Sequence, residues 1–136
     1  MLSFWVVYCF VQVLSSPLHL QIIIKVRQEM KSIKFDSYGG QEKMYWADTA
    51  LPTPNAKQLI IKVKAVSINP VDWKIRKGEM KLFIDNKFPK GLGVDFSGIV
   101  ETVGNEVNKF KKDDEVFGWL PYKITGSIAE YCIADL

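Results

Sequence analysis

The stretch Ile68-Asn69-Pro70-Val71-Asp72-Trp73-Lys74 packs an amide, a carboxylate, an indole and an ammonium into a single helical turn. Two uses suit that set. Asn69 can cap a helix that has Pro70 at its first position, with Asp72 three residues on closing a capping box and Trp73 filling core. Alternatively, the turn belongs to a site. A second cluster, Gly91-Leu92-Gly93-Val94-Asp95-Phe96-Ser97-Gly98, has glycines spaced as if to cradle a phosphate. It does not match Gly-x-Gly-x-x-Gly, and a strand pattern follows it, so no helix N-terminus is on offer to an anion. The third, Gly126-Ser127-Ile128-Ala129-Glu130-Tyr131, reads as the entry to a strand, with Glu130 a structural carboxylate. Nucleophilic and metal chemistry find less material. Cys9 and Cys132 cannot build a disulfide framework or a four-ligand zinc site, and His19 is the only histidine. A Ser-His-Asp or Cys-His site within the stretch from Met30 onward is therefore excluded.

Strands must position these clusters. Ile33 and Phe35 alternate with Ser32 and Lys34, and the run stops at Asp36-Ser37-Tyr38-Gly39-Gly40, where paired glycines allow a turn. Met44-Tyr45-Trp46 reads as a second short strand ahead of Leu51-Pro52-Thr53-Pro54, whose prolines cannot donate to a ladder. From Gln58 to Ser67, Ile61, Val63 and Ala65 alternate with Lys62 and Lys64, which predicts one buried and one wet face. Asn69 to Lys77 follows as a short helix with Gly78 as its stop. Val94 to Val103 is a further strand, and its internal Gly98 marks a bulge or a close backbone approach. Gly104-Asn105 turns, Val116 to Leu120 is another short strand, and Ser127 to Ala134 alternates as the last. Many short strands broken by Gly and Pro predict a mainly β fold, a barrel or sandwich.

The 136 residues bound the chain to one ordinary domain with at most an appendage. With 48% apolar and 24% charged residues it can bury a core, and 18 basic against 15 acidic side chains leave a small scattered excess. That argues against a nucleic-acid partner recognised through a basic stripe. Residues 1–29 differ from the rest. Met1 to Leu14 holds only Ser3 and Gln12 as polar residues, and Lys25 is the first charge. The run is shorter than the roughly 20 residues a spanning helix needs, and it lacks the basic flank of a secretory signal. Three readings stand side by side for 1–29: residues outside the working protein, a signal or membrane anchor, or an extra strand. Residues 30–136 read as the folded domain, and a cytoplasmic location is expected unless 1–29 act as signal or anchor.

Taken in order, "MKSIKFDSYGG", "LPTP", "IIKVKAVSINPVDWKIRKG", "GVDFSGIVETVG", "DEVFGW" and "GSIAEYCIAD" resemble the N-terminal GroES-like domain of the zinc-independent quinone oxidoreductases. These belong to the medium-chain dehydrogenase/reductase superfamily. The resemblance implies a GroES-like, partly open β-barrel with short helical turns. It also identifies a branch. Zinc-dependent alcohol dehydrogenases carry a cysteine where Asn69 stands, a His-Glu pair where Val94-Asp95 stand, and a proton-relaying hydroxyl where Val71 stands. Valine neither ligates a metal nor passes a proton, and an amide is a poor zinc ligand beside thiolate and imidazole. A metal-free site is thus expected. Asn69 and Asp72 take the catalytic positions, and Asn69, Trp73 and Lys74 face the cofactor.

The function implied is the substrate-side half of an NADPH-dependent reductase of quinones or activated carbonyls. In this family a Rossmann unit follows the "AEY" strand and binds most of the dinucleotide. These 136 residues do not contain one, so the chain by itself is expected to be inactive, with a separately encoded Rossmann half or a homo-oligomer as partner. The substrate class is a small quinone or enone. The alternative is a non-enzymatic GroES-like remnant or interaction module.

Overall fold

A computed structural model describes residues 29–123 and 126–136. The readings offered for 1–28, together with Cys9 and His19, lie outside the described residues. The described elements are β1 (Glu29–Phe35), a 3-10 turn (Gln41–Lys43), β2 (Met44–Ala50), β3 (Gln58–Ala65), α1 (Pro70–Lys77), β4 (Lys90–Gly91), β5 (Asp95–Val103), β6 (Glu115–Trp119) and β7 (Tyr131–Asp135). They form two antiparallel sheets, in the orders β2-β1-β4 and β6-β5-β3-β7. The mainly β expectation holds, and among the described residues the sheets do not close into a complete barrel.

Each sheet carries its own core. Leu59, Ile61, Phe96, Val100, Leu120, Cys132 and Ala134 pack together on the inner face of the four-stranded sheet. Phe35, Ile75, Ile84, Leu92 and Val94 form the second cluster, which ties α1 to the smaller sheet. Residues 128–130 stitch the two sheets together. Ile33 N donates to Ile128 O at 2.9 Å, Glu130 N to Lys31 O at 2.9 Å, and Val63 N to Glu130 O at 2.9 Å.

Four expectations need correcting. The last strand begins at Tyr131, not Ser127, because residues 128–130 bond β1 and β3 and so cross between the sheets. Val94 stands just before β5, buried in the second core. The second strand runs on to Ala50, paired along its whole length with β1. The simple alternation of β3 also fails. Leu59, Ile60 and Ile61 are all buried, whereas Ala65 is exposed. The ladder with β5 is irregular at two places: Ile60 pairs with Thr102 but Ile61 with Val100, and at a second bulge Val63 pairs with Gly98 but Ala65 with the adjacent Ser97. The extra residue on β3 turns Ala65 to the outer face. Gly98 makes that bulge feasible, since a Cβ there would sit 2.3 Å from the Lys62 carbonyl oxygen.

The helix forms as its chemistry dictates. Asn69 is the N-cap in extended conformation, Pro70 opens the helix, and Gly78 ends it in the left-handed region at φ 85°. Ile75 and Asp72 face inward, while Trp73, Lys74 and Lys77 face out.

Candidate functional site

The polar cluster is built where β3 ends, α1 begins and β5 starts. Asn69 N donates to Asp72 Oδ2 at 2.7 Å, the side-chain half of a capping box, and Asp72 N donates to the backbone carbonyl Asn69 O at 3.0 Å. The Asn69 side chain points elsewhere. Its Nδ2 donates to Asp95 Oδ2 at 2.8 Å and to Ser67 Oγ at 3.2 Å. Ser67 Oγ donates in turn to the same Asp95 oxygen at 2.7 Å. The backbone of Asn69 thus belongs to the helix cap, and its amide side chain to a polar cluster with Ser67 and Asp95.

Asp72 is 1% exposed, and its Oδ1 has no hydrogen-bond partner. Burial pushes its carboxyl above the ordinary carboxylate range, and the negative charge of Asp95 adds to that rise. The backbone amides of Asn69 and Val94 oppose the shift without cancelling it. A buried carboxyl with one unpaired oxygen beside a second carboxylate is costly, and such arrangements concentrate where a protein acts on ligands.

All the hydrogen bonds that Asp95 receives within the described residues go to Oδ2. Its Oδ1 remains as an acceptor. With the Ser67 hydroxyl and the Asn69 amide already directed inward, the cluster suits a ligand that brings its own N–H or O–H donor. The carboxamide of a nicotinamide meets that requirement, and so does the hydroxyl of a reduced quinone.

The structure brings Asn69 and Asp72 together and separates Trp73 and Lys74 from them. Trp73 is 38% exposed, with Lys77 Nζ 4.9 Å and Lys74 Nζ 5.7 Å from its ring centroid. The core-filling reading of Trp73 is thereby corrected: at position 73 the helix turns its side chain to the side opposite Ile75. Ser67 and Asp95 are the members that sequence reasoning did not assign to the site. In the sequence Asp95 stands within the Gly91–Gly98 cluster and at a position of the zinc enzymes' ligand pair. Its partnership with Asn69 joins residues 26 apart and has no local signal.

Metal binding has little support in the donor chemistry. Asn69, Val94 and Asp95 offer an amide, an alkyl group and one carboxylate, a set that does not suit zinc. Among the described residues no group of three or more His, Cys, Asp or Glu side chains is placed to hold a metal ion. No helix of the described residues is long and apolar enough to cross a membrane.

Comparison with known proteins bears on the family and the fold. The profile of the alcohol dehydrogenase GroES-like domain matches residues 55–135. A chloroplastic quinone-oxidoreductase homolog of Spinacia oleracea is 37% identical over 106 residues, covering 77% of this chain and 32% of the relative. The quinone oxidoreductase of Coxiella burnetii superposes with a TM-score of 0.71 at 38% identity, covering 79% of this chain and 35% of that one. The Escherichia coli quinone oxidoreductase, solved in complex with NADPH, gives a TM-score of 0.69 at 27% identity over 77% of this chain and 31% of that one. The chain thus spans about a third of the length of the curated relatives it matches, 32% in the first.

Proposed function

Since the chain belongs to the alcohol dehydrogenase GroES-like domain family, within the medium-chain dehydrogenases/reductases, we propose that it forms the substrate side of an NADPH-dependent reductase of quinones or activated carbonyls. The observation that carries the reading is the Ser67–Asn69–Asp95 cluster seated on buried Asp72 at the mouth of α1. NADPH, when bound, supplies the hydride, and a proton completes the reduction. The residues here fit only one end of that cofactor. Asp95 Oδ1 suits a carboxamide or hydroxyl donor, whereas the Gly91–Gly98 run leads into β5 and offers the pyrophosphate no helix N-terminus.

In this reading Asn69 and Asp95 hold the reacting ring in register, so that less orientational freedom is lost at the moment of transfer. Asp72 shapes the turn by fixing the backbone of Asn69. Trp73 and Lys74, on the outer face of α1, are assigned to the cofactor's flank. The remote parts of the dinucleotide, whose binding energy positions the nicotinamide, are assigned to a dinucleotide-binding domain outside these residues.

The test joins this chain to the dinucleotide-binding domain of a quinone oxidoreductase and follows NADPH oxidation by a quinone. The joined protein is expected to turn over and the chain by itself is not. Asn69→Ala in the joined protein should lower kcat/KM about ten-fold, the low end for a lost hydrogen bond to a charged acceptor. Full rate with Asn69→Ala, or turnover by the chain alone, overturns the assignment.

A further inference from the structure

The outer face of the four-stranded sheet carries an aromatic surface that the reading of the polar cluster does not use. In the β5–β6 ladder Asp95 pairs with Trp119 and Ser97 with Phe117. Residues directly opposite in an antiparallel pair share a face, with Cβ atoms about 4.5–5.5 Å apart. Trp119 is thus the ladder neighbour, on the same face, of the residue whose carboxylate anchors Asn69. The opposite face of β6 is the packed one: Val116 packs against the core, and Gly118 leaves room for the Phe96 ring.

What the outer face presents is unusual for solvent. Trp119 is 63% and Phe117 88% exposed. The Trp119 ring leans on Tyr122 at a centroid distance of 5.8 Å and an angle of 49°. That contact steadies one side of the indole while most of its surface stays open. The other two described tryptophans differ. Trp73 lies on α1 with the Lys77 ammonium 4.9 Å from its ring centroid, and Trp46 belongs to β2 in the other sheet. Among the described residues, Trp119 is the tryptophan that the strand register places against the cluster.

We infer that Trp119 is the stacking surface for a planar six-membered ring whose O–H or N–H donor is received by Asp95 Oδ1. The inference rests on the reading of the Asn69–Asp95 cluster as a ligand site and adds its selectivity. An acceptor alone would take any small alcohol or amide, whereas an adjoining indole favours a flat π system through offset or edge contact. Two ligands carry that chemistry, a reduced quinone and a nicotinamide ring. Trp119 sets shape preference in either case and is a specificity-determining residue.

The experiment titrates the 136-residue chain, labelled with nitrogen-15, and follows the indole N–H signals and the Asn69 side-chain amide. The probes are tetramethylhydroquinone under nitrogen, nicotinamide, and cyclohexanol as a donor without a flat ring. At least one flat probe is expected to shift both Trp119 and Asn69, and which one does so distinguishes substrate from cofactor. Trp119→Ala should weaken that probe about two- to twelve-fold, the fold-change of an aromatic contact. Trp119→Phe should retain most of the affinity, and cyclohexanol should be indifferent to either change. If a flat probe shifts Asn69 but binds Trp119→Ala unchanged, the stacking role is wrong and the polar site stands. If the probes shift Trp119 without Asn69, the contact is a nonspecific apolar one and the inference falls. If no probe shifts Asn69, the ligand-site reading fails and the inference with it.

Discussion

Replacing Asp95 by alanine removes one carboxylate oxygen that receives two hydrogen bonds, from Ser67 Oγ at 2.7 Å and Asn69 Nδ2 at 2.8 Å. A hydrogen bond to a charged acceptor is worth about 1.5 kcal/mol at the low end, so two contribute about 3 kcal/mol before other effects are counted. Two effects reduce that figure. Ser67 is exposed and Asn69 half-buried, so the freed donors regain water. Asp95 also repels the Asp72 carboxylate, and its removal relieves that repulsion. The net loss expected for Asp95→Ala is about 1–2 kcal/mol, or roughly 4–16 °C in Tm for a domain near this size. Asp95→Asn keeps an acceptor and should lose less than half as much. Thermal unfolding of the three proteins at neutral pH measures both numbers. A carboxyl titration by carbon-13 NMR supplies the independent arm: Asp95→Asn should bring the Asp72 pKa down from its wild-type value. An unchanged Tm for Asp95→Ala together with an unmoved Asp72 titration would refute the coupled cluster.

Three further outcomes are expected. Burial holds the Asp72 proton to higher pH in the folded than in the unfolded chain, whose carboxyl titrates near 3.8. The stability this proton contributes is complete below the unfolded value and is lost as pH rises through the folded one, at no more than about 1.4 kcal/mol per pH unit. Asp72→Asn should flatten that slope in urea titrations across the acid range, and a slope identical to wild type would contradict the assignment. Gly98→Ala drives a Cβ to within 2.3 Å of the Lys62 carbonyl, and urea unfolding should show a loss of about 1–3 kcal/mol, as overpacking typically gives; wild-type stability would mean that β3 and β5 do not approach as described. Cys132 is buried with its thiol pushed up to about 12, so in a Cys9→Ser background a thiol reagent should leave it unlabelled at pH 8 until urea unfolds the chain.

Local chemistry made much of this protein legible. The N-cap at Asn69, the proline that opens α1 and the glycine that closes it depend on residues within one helix, and they act in the fold as their types require. The strands expected at Lys31–Phe35 and Val116–Leu120 were likewise readable from period and punctuation, and they overlap the observed Glu29–Phe35 and Glu115–Trp119. The pairing of Asn69 with Asp72 lay within reach because three residues is one helical turn. What sequence order could not supply was the placement of distant segments. Ala65 faces out because a bulge shifts β3 by one residue against β5, and strand period carries no record of an inserted partner. Ser127 to Glu130 looked like strand but serves two sheets at once, a role that exists only after both have formed.

The site divides along the same line. Asn69 and Asp72 were visible as chemistry, but Asp95 joined them only through the meeting of β5 with the start of α1. Trp73, adjacent in sequence, turned away because a helix rotates each residue about 100° from the last. Trp119, fifty residues distant, came alongside because ladder register put it opposite Asp95. Sequence alone settles conformations whose competing forces act within a turn or a strand. Which side chains share a pocket is decided by pairing register and close packing, since those energies belong to contacts between segments and not to any one of them.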